Sequence, residues 1–176
     1  MRMGVAVRRF GIPGFVHSLY HLISRRAIVS PRAELEWSSL LEIGRESQIS
    51  SFVKIKASEG PVRIGERTDI GCGVFIAGHV HGIIIGDDCL ISPNVSIIGV
   101  NYRYDRADRL IREQGLQSGG PTSIGNNVWI GAGAVILDNS QIEDGAIIAP
   151  NAVVSGRVPA MSIMSGNPAK IIFTRR

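Results

Sequence analysis

Long apolar runs are missing from this chain of 176 residues. No stretch reaches the roughly 18 residues that a spanning helix needs, so a transmembrane helix and a secretory leader are not expected. Aromatic residues are scarce at 6% of the chain, while apolar residues make up 44%, so the core must be aliphatic. The only cysteines, Cys72 and Cys89, lie in apolar surroundings without metal-ligand spacing, which predicts buried thiols in a reducing, cytoplasmic compartment. No G-x-G-x-x-G follows a strand pattern and no G-x-x-x-x-G-K-[ST] occurs, which excludes the common nucleotide-binding loops. The acids are scattered, so no paired-carboxylate glycosidase centre can be read from them. Net charge is modest, +4, with the excess at Arg-rich ends; it points to an anionic ligand or surface, not to nucleic acid.

What the chain has is glycine, 21 of them, and isoleucine on a fixed beat. Ile43, Ile49 and Ile55 are six apart, as are Ile64, Ile70 and Ile76, then Ile85, Ile91 and Ile97; the beat resumes from Ile124 through Ile130, Ile136, Ile142, Ile148 and Val154. Neither a helix nor an alternating strand has a period of six. Short straight segments joined by tight corners would place one branched side chain per segment inside a narrow prism, with glycine relieving strain beside the corners, as in Ile43-Gly44, Ile64-Gly65 and Ile85-Gly86. Three segments make one coil, and coils stack at strand spacing, about 4.8 Å.

The interruptions are phased too. Ile43 to Ile64 and Ile64 to Ile85 are each 21 residues, and Ile97 to Ile124 is 27, so every insertion falls after the third segment of a coil. One prism edge therefore carries Ser58 to Val62, His79 to Gly82, and a long loop from about 98 to 123. Loops on a rigid scaffold are where chemistry is expected.

The predicted organisation is an N-terminal segment over residues 1–40 and a prism over 41–176. In the first, Phe15, Leu19, Leu22 and Ile23 share a helical stripe after Pro13, with Arg25 and Arg26 at the favourable end. This helix reads as a cap on the first coil, or alternatively as a membrane-surface helix at the inner membrane. His17 and His21, four apart, suit either metal binding or partly buried helix positions; without a third ligand, no metal is expected.

The hexapeptide beat, with PNVSI, IGNNVWIGAGAVI and SGNPAKII, resembles the left-handed parallel β-helix acyltransferases, nearest the sugar and capsular-polysaccharide O-acetyltransferases. The resemblance spans about Leu41 to Phe173. It implies an all-β, left-handed prism, acetyl-CoA as donor, and a glycan or small-molecule acceptor. It also implies a homotrimer with active sites between subunits. By the same resemblance, Trp129 borders the pocket or else covers a seam between coils. Gly131 and Ala149 lie along the donor groove, and Lys170 meets phosphate or is an ordinary terminal lysine.

Acyl transfer from a thioester to a hydroxyl needs a base for the alcohol proton and donors for the oxyanion. The family places a histidine at the start of the large loop; here Val95 and Ile97 are followed by Tyr102. A tyrosine, with an ordinary pKa near 10, is a weak base but can hold an acceptor or an oxyanion. One coil earlier, GHVHG supplies His79 and His81, and His81 lies five residues after Ile76, as Tyr102 does after Ile97. These histidines read either as a displaced base or as polar turn residues. Within the loop, Asn101, Asp105 and Glu113 are candidates for acceptor binding. Arg103, Arg106, Arg109 and Arg112 are candidates for phosphate, or simply a solvated charge run. Two readings follow: an O-acetyltransferase working by direct ternary-complex transfer, or a catalytically inactive homologue acting as a binding or structural subunit.

Overall fold

The structure, a computed structural model, describes residues 13–176. Its strands are two to six residues long and stack into three long sheets. The first face runs from Ile28–Val29 through Gln48–Ile49, Asp69–Ile70, Leu90–Ile91, Trp129–Ile130 and Ile147–Ile148 to Ser162–Gly166. The second runs from Glu34–Leu35 to Val153–Val154, and the third from Leu41–Ile43 to Arg157–Val158. Partners within each sheet are parallel and lie one coil apart, so Ile49, Ile70, Ile91, Ile130 and Ile148 stack inward as a column. The expected isoleucines are all buried, and the molecule is an all-β, left-handed parallel β-helix.

The spacing predicts the prism from residue 41, but the strands at Ile28–Val29 and Glu34–Leu35 already belong to the first and second faces. Val29 and Leu35 fill the inward positions, so the first coil starts at Ile28. Without isoleucine at its inward positions or a corner glycine, this coil does not announce itself in the pattern.

The glycines after every third isoleucine have a cause other than strain. Gly44, Gly65, Gly86 and Gly125 form one column at the corner between third and first faces. A Cβ on Gly65 would lie 2.5 Å from the Gly86 carbonyl carbon, and one on Gly86 would lie 2.6 Å from the Gly125 oxygen. Coils touch there backbone to backbone. Left-handed backbone is used elsewhere at the corners, at Asn94, Asn127 and Asn151 and at Gly73, Gly133 and Gly145.

Helix α1, Gly14–Arg25, packs on the first coil, with Gly14 pressed against the Pro31 carbonyl, where a Cβ would not fit. Its buried residues are His17 and His21, while Phe15, Leu19, Leu22 and Ile23 are exposed. This reverses the face that the apolar stripe predicts. The inward face is held by rings: His17 meets Trp37 edge-on at 5.0 Å between centroids, and Tyr20 lies 5.3 Å from the same indole. At the other end of the chain, Ala169–Thr174 returns antiparallel along Ser162–Gly166 and extends the first sheet.

Candidate functional site

All three insertions leave the prism at the corner between second and third faces. The loops begin in register, since Gly78 N–H donates to the Lys56 carbonyl at 2.9 Å and Gly99 N–H to that of Ala77 at 2.9 Å. The first is fixed from below by the buried Glu36, whose Oε2 accepts from the backbone N–H groups of Ala57 and Ser58 at 3.0 and 2.8 Å. Beyond Gly99 the paths part. His79 closes a tight turn, its carbonyl accepting from Gly82 N–H at 2.6 Å. Asn101–Tyr102 instead pairs antiparallel with Leu116–Gln117 and carries the long loop away from the prism. Asp138, one coil later, clamps both ends of that loop: its Oδ1 accepts from the Asn101 amide at 2.6 Å and its Oδ2 from Gly119 N–H at 2.8 Å. Inside the loop, Gln114 donates to the carbonyls of Arg106 and Arg109.

A cavity of about 330 Å³ opens beneath this arm, lined among others by Lys56, Ser58, Glu59, Asn101, Tyr102 and Leu116. It is large enough for a small ligand and faces solvent. Tyr102 and Asn101 are brought together here as the sequence suggests, but neither His79 nor His81 lines the cavity. Equal offsets from Ile76 and Ile97 place His81 beside Tyr102 only if both segments leave in one direction, and they do not. His81 is exposed; His79 is half-buried, and its Nδ1 is buried without a hydrogen-bond partner. The Asn101 amide is spent on Asp138, so its side chain anchors the loop. Asp105 faces Arg103 at 3.6 Å, and Glu113 stands exposed in the single turn Ile111–Glu113, outside the lining. Arg106 is held by Asp108 at 2.6 Å, whereas Arg109 and Arg112 make no ion pair among the described residues.

The residues expected to meet the donor lie elsewhere. Trp129 stands on the outside of the first face, 46% exposed, its indole N–H donating to Ser92 Oγ at 3.1 Å across the seam between coils. Above and below it in register come Leu90, Ile147, Ile163 and Phe173, an outward column that is apolar for five successive rungs. Gly131 needs no ligand to explain its missing side chain, because a Cβ there would lie 2.6 Å from the Pro150 nitrogen. Ala149 is half-buried, its N–H committed to the Met164 carbonyl at 2.8 Å. Lys170 pairs with Ser165 on the terminal hairpin and is exposed. Trp129 and Lys170 therefore share the first sheet, while Tyr102 belongs to the opposite corner. Within one chain the two groups of residues lie apart.

Lys56 and the two clamps, Glu36 and Asp138, escape sequence reasoning, because each is an ordinary polar residue beside a corner, whereas Ser58 and Glu59 fall in the first insertion on the expected edge without being singled out there. The thiols divide. Cys89 is buried, its Sγ donating to the Gly125 carbonyl at 3.1 Å, and burial pushes its pKa up. Cys72 is exposed, contrary to expectation, because the position just after Gly71 turns outward at the corner. Burial lowers the pKa of His17, and that of His21 to about 4, with His17 and Arg25 adding repulsion at the latter. Among the described residues no third ligating group joins this pair.

Comparison with known proteins places this geometry in context. Residues 121–156 match the model of the bacterial transferase hexapeptide (six repeats), and residues 61–99 that of the hexapeptide repeat of succinyl-transferase. The chain is 34% identical over 136 residues to "Probable acetyltransferase Rv3034c" of Mycobacterium tuberculosis, covering 77% of this chain and 45% of that protein. It is 32% identical over 90 residues to the galactoside O-acetyltransferase of Escherichia coli, covering 51% of this chain and 43% of the relative. The chain thus spans about half the length of these curated relatives. Among solved structures, the N-acyltransferase AntD from Bacillus cereus, in complex with dTDP and 3-hydroxybutyryl-CoA, superposes with a TM-score of 0.75 at 21% identity, over 86% of this chain and 81% of that one. At that identity the likeness is one of fold.

Proposed function

Since the chain belongs to the hexapeptide-repeat, left-handed β-helix proteins of the acyltransferase kind, we propose that it moves an acyl group from acyl-CoA to a sugar or sugar-nucleotide acceptor. The finer reading is O-acetylation of a glycan hydroxyl with acetyl-CoA as donor. Kinship with acetyltransferases across 77% of the chain carries the chemistry, and the cavity under the long loop carries its location.

The donor supplies an activated carbonyl on a good leaving group. The acceptor hydroxyl attacks that carbonyl, a C–O bond forms as the C–S bond breaks, and the hydroxyl proton passes through a base to the departing sulfur. An elongated, phosphate-bearing donor needs an apolar platform and cations. Trp129 and Lys170 offer these on the first sheet, and Arg109 and Arg112 offer unpaired charge on the loop. Tyr102 and Glu59 hold the acceptor in the corner cavity. The base is one of the imidazoles of GHVHG, His79 or His81, on the turn beside Gly78, which itself lines the cavity. Because these two groups of residues lie apart in one chain, the reading includes a homotrimer in which the corner of one copy meets the first face of the next.

The test is acetyl-CoA binding by calorimetry together with free-thiol release, comparing the wild type with His79→Ala, His81→Ala, Tyr102→Phe and Glu59→Gln. Binding with turnover that falls at least about 100-fold in one histidine variant supports the assignment. A fall in Glu59→Gln alone moves the base to that carboxylate. Failure of the folded protein to bind favours the second reading, an inactive binding or structural subunit, to which the absence of imidazole from the cavity lining lends support.

A further inference from the structure

Helix α1 turns its apolar stripe away from the prism. Phe15, Leu19, Leu22 and Ile23 are 65%, 55%, 53% and 74% exposed, and Ile28, on the neighbouring strand, is 58% exposed. Together with Val29 they border a shallow apolar groove, lined by Phe15, Ser18, Leu19, Leu22, Ile28 and Val29. Four large side chains at positions i, i+4, i+7 and i+8 form a continuous stripe, and a patch of that kind on a soluble surface marks an interaction site. The inward side is already filled by the rings of His17, Tyr20 and Trp37, so turning the stripe inward would require the helix to give up those contacts.

Charge identifies what the stripe meets. Residues 1–33 contain six arginines, Arg2, Arg8, Arg9, Arg25, Arg26 and Arg32, and no aspartate or glutamate, although acids and bases nearly balance over the rest of the chain. Arg25, Arg26 and Arg32 are exposed. An apolar stripe flanked by cations without anions suits the boundary between anionic headgroups and acyl chains. A protein groove would have to supply acids to match it. No described helix is long and apolar enough to cross a membrane.

We infer that the exposed face of α1, Phe15, Leu19, Leu22 and Ile23, with its arginine flank, docks the protein on an anionic lipid surface, placing the prism at the membrane face. A copy of the chain would present one such helix, and a trimer with parallel prism axes would present three at one end, multiplying a weak contact into stable attachment.

The test is co-sedimentation of the full chain with vesicles of phosphatidylglycerol and phosphatidylcholine, against vesicles of phosphatidylcholine alone. The wild type should bind the anionic vesicles and release them as salt rises. Leu19→Ser and Leu22→Ser should each weaken binding by about tenfold, since each removes a side chain worth at least that factor when buried. Both positions are exposed, so circular dichroism and thermal unfolding should not change. Replacing Arg25 and Arg26 with glutamine should weaken binding to the anionic vesicles alone. No binding to either vesicle, or equal binding to both, overturns the inference. Concentration-dependent self-association that the leucine variants abolish, without vesicle binding, would assign the stripe to a second copy instead. Thiol release from acetyl-CoA is read independently, so failure here and failure of the acyltransferase reading are separate results.

Discussion

The stacked coils and the two appendages they carry, helix α1 and the long loop, are held by different physics. In the coils each inward isoleucine touches the coils above and below, and the corner glycines let backbones meet directly. Stability there is mainly apolar and repeated. The appendages hang on a few particular groups: α1 on the rings of His17 and Tyr20 against Trp37 and on the buried His21, the loop on Asp138 and Gln114. A repeat can lose no single layer cheaply because neighbours share it, whereas an appendage can be released by changing one group. The residues proposed to hold the acceptor sit on the loosely tied part or beside it, and those proposed to meet the donor on the coils.

The sharpest way to break this contrast is at glycine. Gly86→Val drives a side chain into the Gly125 backbone and should cost on the order of 4 kcal/mol or more, seen as loss of folded protein or a large fall in Tm. Gly115→Ala, in the loop with open space around it but φ of +83°, should cost about 1 kcal/mol. Next comes volume. Ile97→Ala should cost about 2–5 kcal/mol by urea unfolding, while Ile111→Ala, exposed in the loop, should change stability by less than about 0.5 kcal/mol.

A smaller and more selective effect concerns pH. The folded-state pKa values of His17 and His21 lie below the unfolded value of 6.5, that of His21 at about 4, so docking of α1 is fully favoured above 6.5 and is lost as pH falls toward 4. Trp37 fluorescence, followed in a Trp129→Phe background, should report release of the helix across that window while the β-sheet circular dichroism persists. Simultaneous loss of both signals would mean that the helix and coils are one cooperative unit. Asp138→Ala acts on the loop alone: it removes two hydrogen bonds at the base of the loop and should cost about 1–2 kcal/mol. Its clearest readout is faster tryptic cleavage at the loop arginines, with the coils left intact.

This division also explains what the chain disclosed in advance. The coil positions of Ile43 through Val154 and the corner of the insertions are legible because periodicity is a property of the sequence itself. The first coil is not, since Val29 and Leu35 keep the spacing without the residues that advertise it. The helix is legible as a helix, but its orientation is not, because the ring contacts to Trp37 are tertiary. At the corner, Tyr102 could be placed, yet equal offsets for His81 could not reveal that one segment turns back at Gly82 while the other departs as a hairpin. Nor does any local pattern connect Asn101 with Asp138, 37 residues away.

The central functional claim is that the corner of one copy and the first face of another make one acyl-transfer site. Its most direct test is subunit complementation. Chains carrying His79→Ala, His81→Ala and Tyr102→Phe together are mixed and refolded with chains carrying Trp129→Ala, and acetyl-CoA thiol release is measured alongside sedimentation velocity. The account predicts that each parent is a folded but inactive trimer and that the mixture regains turnover, because some interfaces pair an intact corner with an intact Trp129. No recovery in well-assembled mixed trimers, or full turnover by a monomeric chain, would contradict it.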